Sequence, residues 1–182
     1  MLRGLMQEQP LLISSLIEYA ARHHGDTELV SRTTDGIIHR HNYRTLHARA
    51  QQLAHALIAL GVKPGDRVAT LAWNTYRHME LYYAVSGIGA VLHTVNPCLF
   101  PDQLEYICNH AEDQLLFFDL TFVPLIAKLR PHLKSVRHFI ALADPAQTPS
   151  TADCAGDVLC YETLLSAQPP TFQWPLFDEN TA

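Results

Sequence analysis

The sequence predicts an α/β fold: a β-hairpin followed by alternating βαβ units that form a parallel sheet with helices on both faces. Three observations carry this. Short apolar runs recur at 67–72, 90–95, 114–118 and 137–142. The segments between them have helical spacing or helix-start signals. The connections are short, and strand–helix–strand order with short connections implies parallel strands joined by right-handed crossovers. With 182 residues, 48% hydrophobic and 17% charged, the chain has room for one domain and material for its core.

The elements follow in order. Residues 1–12 read as an N-terminal arm, of the kind that commonly frays. At 15–22, Leu16, Ile17, Ala20 and Ala21 have helical spacing, with Ser14 or Ser15 as the expected cap. The runs 28–32 and 37–41 flank Asp35-Gly36, whose tolerance of positive φ marks a hairpin turn. Leu46, Ala50, Leu53, Ala54, Leu57 and Leu60 line one helix face, with Asn42 or Thr45 as cap and Gly61 as stop. A strand at 67–72, a helix at 76–86 and a strand at 90–95 come next. Pro101 and Asp102 open a further helix. A strand at 114–118, a helix at 122–129 ended by Pro131 and a strand at 137–142 complete the unit, which spans 13–143. The segment 144–182 begins as a polar surface loop, has a short helix near 161–166, and ends without periodicity. Its Phe172 and Trp174 read as exposed aromatics.

Composition excludes several classes. A formal net charge of −5 and the lack of Lys/Arg runs argue against nucleic acid as a partner. Cys98, Cys108, Cys154 and Cys160 form no CxxC pair, which points to a reduced, cytoplasmic setting. The apolar stretch 84–95 is broken by Ser86, Gly87, Gly89, His93 and Thr94 and is shorter than the ~20 residues a transmembrane segment needs.

Chemistry is sparse in the residues themselves. Parallel α/β sheets bind phosphates where a Gly-rich turn opens a helix. Gly87-Ile88-Gly89-Ala90 instead follows a helix and precedes a strand, so close packing explains its glycines better. No GxxxxGK[ST] loop exists, and Lys63, Lys128 and Lys134 stand beside no glycine cradle. His39 and His41 alternate along a strand and share a side; His23-His24 sit at a helix end. Neither set has metal-ligand spacing, so packed or solvated imidazoles are the expectation. His93 reads as a hydrogen-bonded core imidazole. A GxSxG elbow is missing. Glu80 and Glu105 are isolated carboxylates, while Asp119 falls at a strand's C-terminal end, where helix capping accounts for it.

The run 53–69, with Leu57, Leu60, Gly61, Lys63, Pro64, Gly65, Asp66, Arg67 and Val68, resembles the N-terminal region of the AMP-forming acyl-CoA synthetases, the adenylate-forming superfamily. So do Gly89 to Pro97, Gln103 to Asp113, and Leu116 to Asp119. Trp73-Asn74 with Arg77 to Tyr83 is most similar to bacterial medium- and long-chain fatty-acyl-CoA ligases, including the methylthiopropionate-CoA ligase group. The similarity runs from about Leu5 to Ala182.

The resemblance implies an N-terminal subdomain of an acyl-CoA synthetase-like fold, incomplete by itself. Such ligases join a fatty or other small carboxylic acid to ATP, release pyrophosphate, and let the CoA thiol displace AMP. ATP, Mg²⁺ and CoA are thus implied for the full-length protein, and the remainder of the ligase is the implied partner, with a homodimer through the arm also in view. Family members carry their phosphate loop shortly after a segment like 178–182. The expectation is therefore that this chain binds no cofactor, contributes no catalytic, cofactor-binding or metal residue, and is inactive alone. The other expectation is a stand-alone, non-catalytic α/β binding module derived from the same scaffold.

Overall fold

The computed structural model describes residues 4, 5 and 9–180. Half of the predicted arm, residues 1–3 and 6–8, lies outside the described residues.

The first helix, α1 (Ile13–His23), starts earlier than its serines suggest. Its N-cap is Leu12, and the Ser15 hydroxyl donates to the Leu12 carbonyl at 2.7 Å instead of capping free N–H groups. Ser14, Ile17 and Ala21 form the buried stripe, so burying that face draws Ser14 into the first turn. Strands β1 (Glu28–Arg32) and β2 (Ile38–Asn42) then pair antiparallel. Gly36 takes φ +87° in the turn, as the Asp-Gly pair predicts.

Helix α2 (Tyr43–Ala59) begins at Asn42, whose side-chain oxygen accepts the Thr45 N–H at 2.9 Å. It ends at Gly61, φ +83°. The alternating unit follows: β3 (Arg67–Leu71), α3 (Tyr76–Gly87), β4 (Val91–Thr94), α4 (Pro101–Ala111), β5 (Leu115–Phe118), α5 (Val123–Leu129) and β6 (His138–Ala141). Two elements close the chain, the two-residue β7 (Leu159–Cys160) and α6 (Tyr161–Ser166). Strand β7 is too short to leave an alternation in the sequence.

The sheet runs β4-β3-β5-β6-β7 and every pairing is parallel. The pleat sends alternate residues to opposite faces. Leu115 and Phe117 join Leu53, Leu57, Leu81 and Val85 from α2 and α3, whereas Leu116 and Phe118 join Leu104 and Ile126 from α4 and α5. Helices therefore cover both faces.

The tail corrects its sequence reading. Trp174 is buried, and Phe172 meets it edge-on at 5.0 Å between ring centres. The indole lies over Gly87, where a Cβ would come within 2.5 Å of it. Absence of periodicity misled here, because an extended segment can supply core side chains one at a time.

Candidate functional site

The sheet order sets where a ligand would be expected. From β3 the chain crosses to β4 on one side, and from β5 it crosses to β6 on the other. Connections thus diverge between β3 and β5, and the crevice beyond the carboxyl ends of such strands is the usual binding place in open α/β sheets. Trp73, Asn74 and Thr75 follow β3 there, and Asp119 and Thr121 follow β5. The Arg32–Thr34 end of the hairpin supplies the third wall of a cavity of about 270 Å³.

Asp119 is buried, and its carboxylate accepts the Trp73 N–H at 2.6 Å. The Trp73 indole N–H donates to Thr121 at 2.9 Å. Burial pushes the Asp119 carboxyl above its ordinary value, against the opposing pull of the Trp73 N–H and of Arg77. It makes no side-chain cap bond, contrary to the sequence reading; it ties the end of β3 to the end of β5.

Beside the crevice lies a charged cluster that the sequence did not disclose. Glu80 on α3 is fully buried. Arg49 of α2 grips it through Nε at 2.6 Å and a terminal nitrogen at 3.2 Å, and the Tyr161 hydroxyl of α6 donates to it at 2.6 Å. Arg49 also reaches Glu162 at 2.9 Å, and Arg77 reaches Glu162 at 2.8 Å and Asp144 at 2.9 Å. Tyr76 lies beneath both guanidinium groups, 5.6 and 5.0 Å from its ring centre, and stacks on His39 at 3.7 Å.

The electrostatics follow from this arrangement. Burial raises the Glu80 carboxyl, with Arg49 and Tyr161 opposing. For Glu162 burial is outweighed by hydrogen bonds and charge from Arg49 and Arg77, and its carboxyl is held low. Arg49 is raised despite burial by the Glu80 charge. Each of these groups is engaged by its neighbours, so the cluster joins α2, α3 and α6 as a clamp. Sequence reading missed it because the partners of Glu80 lie 31 and 81 residues away.

The remaining candidates are placed as follows. His39 and His41 do share a side, with ring centres 5.0 Å apart. Burial, His39 and Arg49 lower the His41 imidazole to about 4. Among the described residues, no three His, Cys, Asp or Glu side chains converge as a metal site. His93 donates through Nδ1 to the buried Asp113 carboxylate at 2.8 Å, so the imidazole is hydrogen-bonded as expected, but it is half-buried at the sheet edge and not in the core. Gly87 is filled by Trp174, and Gly89 takes φ +79° below Pro64 and Phe177. Gly87 thus serves packing, as expected, whereas the contacts at Gly89 are ordinary and its left-handed φ is what calls for glycine. A wider apolar groove of about 500 Å³ lies between α1, β1 and α3, bordered by Leu16, Val30, Met79 and Tyr82.

Against known proteins, the model of the family described as AMP-binding enzyme matches residues 17–172. The chain is 51% identical over 179 residues to 3-methylmercaptopropionyl-CoA ligase of Ruegeria lacuscaerulensis, covering 98% of this chain and 33% of that protein. It is 44% identical to a medium-chain-fatty-acid–CoA ligase of Ectopseudomonas oleovorans, covering 98% of this chain and 32% of the relative. Among solved structures, a putative long-chain-fatty-acid CoA ligase from Rhodopseudomonas palustris superposes with a TM-score of 0.75 at 27% identity, over 94% of this chain and 40% of that one. The chain spans about a third of the length of the curated relatives it matches.

Proposed function

The chain belongs to the AMP-binding enzyme family, and on that premise we propose that it forms the amino-terminal third of an ATP-dependent acyl-CoA ligase. The substrate class is a fatty or other small carboxylic acid. A carboxylate is a poor acyl donor; joining it to AMP with loss of pyrophosphate creates a leaving group that the CoA thiol then displaces. The observation carrying this reading is the 51% identity across 98% of the chain to a CoA ligase.

Within that reaction the described residues supply scaffold. They do not fit a triphosphate or Mg²⁺. The glycines of 87–89 face Trp174, Pro64 and Phe177 instead of an open cradle. No step is therefore assigned to a residue of this chain. What the chain does is hold the switch-point crevice: Asp119 fixes the ends of β3 and β5, and the Arg49–Glu80 clamp fixes the helices behind them. The same reading takes 1–12 as an arm able to join two copies, 13–143 as the α/β unit and 144–182 as the lead into the remaining ligase. A cytoplasmic setting suits the free cysteines, and among the described residues no helix is long and apolar enough to cross a membrane.

The test joins residues 1–182 to the complementary two thirds of the Ruegeria relative and measures pyrophosphate release with ATP, Mg²⁺ and carboxylic acids of graded length. The chimera is expected to release pyrophosphate in an acid-dependent way and form acyl-CoA, whereas the 182-residue chain is expected to release none. A folded chimera silent with every acid would overturn the proposal, as would tight Mg²⁺-dependent ATP binding by the chain alone overturn the scaffold assignment.

A further inference from the structure

Among the described residues, the hairpin β1–β2 pairs with no strand of the five-stranded sheet. Two strands alone are marginally stable, so the hairpin's position depends on what it rests against. Internally it is closed by its antiparallel ladder and by Arg40, which reaches Glu28 at 2.7 Å. Its base is pinned: the Arg44 N–H donates to the Gly25 carbonyl at 3.1 Å, and the Arg44 side chain pairs with Asp26 at 3.1 Å. Above the base its support is Tyr76, whose N–H donates to the Ser31 hydroxyl at 3.0 Å and whose ring stacks on His39 at 3.7 Å with the planes 10° apart. The far end walls the crevice twice, Arg32–Thr34 against Trp73 and Thr121, and Asp35 and Ile37 against Leu142 and Asp144.

This support is built from groups that tolerate no further positive charge. Both ring nitrogens of His41 are buried without a hydrogen-bond partner, a condition rare enough in folded proteins to need a reason. Facing the two imidazoles are Arg49 from α2, Tyr76 and Arg77 from α3, Glu162 from α6 and Asp144 from the loop after β6. Burial, then the Arg49 and Arg77 charges, hold the His39 imidazole below its ordinary value, with Glu162 and Asp144 opposing. Those two carboxylates are already gripped by Arg77, at 2.8 and 2.9 Å. For His41, burial, His39 and Arg49 all act in one direction, and among the described residues no carboxylate opposes them. Protonating His41 therefore puts a second N–H donor under the hairpin with no acceptor to meet it. Protonating His39 adds a cation beside a ring that already carries two guanidinium groups, 5.6 and 5.0 Å from its centre. Carrying both imidazoles into water relieves both penalties.

We propose that the β1–β2 hairpin is an acid-released flap: protonation of His41 and His39 lifts it from Tyr76 about its pinned base and opens the wall of the crevice between β3 and β5. This rests on the reading of that crevice as the site which the ligase scaffold holds. At neutral pH both imidazoles are uncharged and the wall stays closed.

The experiment is NMR on the 182-residue chain, titrated from pH 7 downward past the His41 midpoint. The ring-to-ring NOE between His39 and Tyr76 is expected to vanish along with that midpoint. Exchange of the Tyr76 amide, corrected for the intrinsic effect of pH, is expected to rise at least about tenfold relative to the Phe117 amide, because its bond to Ser31 opens. The NOE between Phe117 and Tyr161, whose ring centres lie 6.3 Å apart inside the body, is expected to persist. His41→Phe cannot be charged, and His39→Phe keeps an aromatic ring on Tyr76; each should move the loss to lower pH. Loss at the parent's pH in both variants would overturn the proposal, since the trigger would lie elsewhere. So would a His39–Tyr76 contact that survives His41 protonation, or one lost only together with the Phe117–Tyr161 contact, which is global unfolding. In the Ruegeria chimera, the same acid-dependent loss without pyrophosphate release at any pH would sink the ligase reading and leave the flap standing. Pyrophosphate release at pH 7 with a contact that survives acid would do the reverse.

Discussion

The two ends of the parallel sheet are finished in different ways. At one end β7 is followed at once by α6, whose Tyr161 and Glu162 enter the Arg49–Glu80 cluster and bind that end to α2 and α3. At the other, β4 has β3 as its one hydrogen-bonded neighbour among the described residues, and an apolar groove lies beside it. Ion pairs and hydrogen bonds satisfied within the chain close the first end, whereas the second is held by a single ladder and the His93–Asp113 bond. Stability should thus concentrate at the clamped end.

The largest effect expected at the clamped end is from Glu80→Ala. Removing it leaves the Arg49 guanidinium and the Tyr161 hydroxyl without their buried partner, at a cost of about 3–5 kcal/mol in the urea unfolding free energy. Glu80→Gln, which keeps shape and one acceptor oxygen, should lose less. Equal and small losses for the two would show that the clamp is not holding the helices.

What sequence alone discloses follows the same division. Alternating βαβ order, the Asn42 cap and the Gly61 stop are local signals, and each appears in the structure where its residues predict it. Asn42 needs only Thr45 to be recognised as a cap. Glu80 needs Arg49 and Tyr161, and nothing within a helical turn of it announces either. Trp174 was read as exposed because its notch is made by Gly87, far upstream, where a missing side chain is the whole signal. The family could be named from ordered motifs, yet the crevice between β3 and β5 depends on strand order, which a linear pattern does not encode. Strand β7 escaped for a plainer reason, its length of two residues.

The next effect tests the tail as part of the clamped face. Trp174→Ala should cost about 3 kcal/mol, as large-to-small substitutions in packed sites do. Gly87→Ala should cost about 1–3 kcal/mol, because the new methyl would come within 2.5 Å of the indole and force it aside. In the double variant the two losses should not add, since the alanine methyl then enters the space the indole has left. Strict additivity, read from urea midpoints of the four proteins, would mean that Trp174 does not occupy that notch in solution.

A smaller effect comes from pH. The unfolded chain protonates His41 near 6.5, whereas the folded protein resists until about 4 because burial, His39 and Arg49 disfavour the cation. The unfolded state therefore binds more protons between these values, and stability falls as pH drops through the window. His41→Phe should flatten that decline in urea midpoints taken at pH 7, 6 and 5. A variant with the slope of the parent would rule out His41 as its source.

The smallest effect carries the opposite sign and belongs to the open edge. On β4, the hydrogen bond to Asp113 is the main cause raising the His93 imidazole above 6.5, partly offset by burial, with the Asp113 charge adding to the rise. Its stabilising share is present in full below 6.5 and fades as pH rises through the folded value. One histidine thus favours the folded state on acidification and the other opposes it. Imidazole proton NMR separates them within one titration: the His93 midpoint should lie above 6.5 and that of His41 near 4. A His93 midpoint at or below 6.5 would mean that the Asp113 bond does not form in solution, and hence that β4 is held at that end by its ladder to β3 alone.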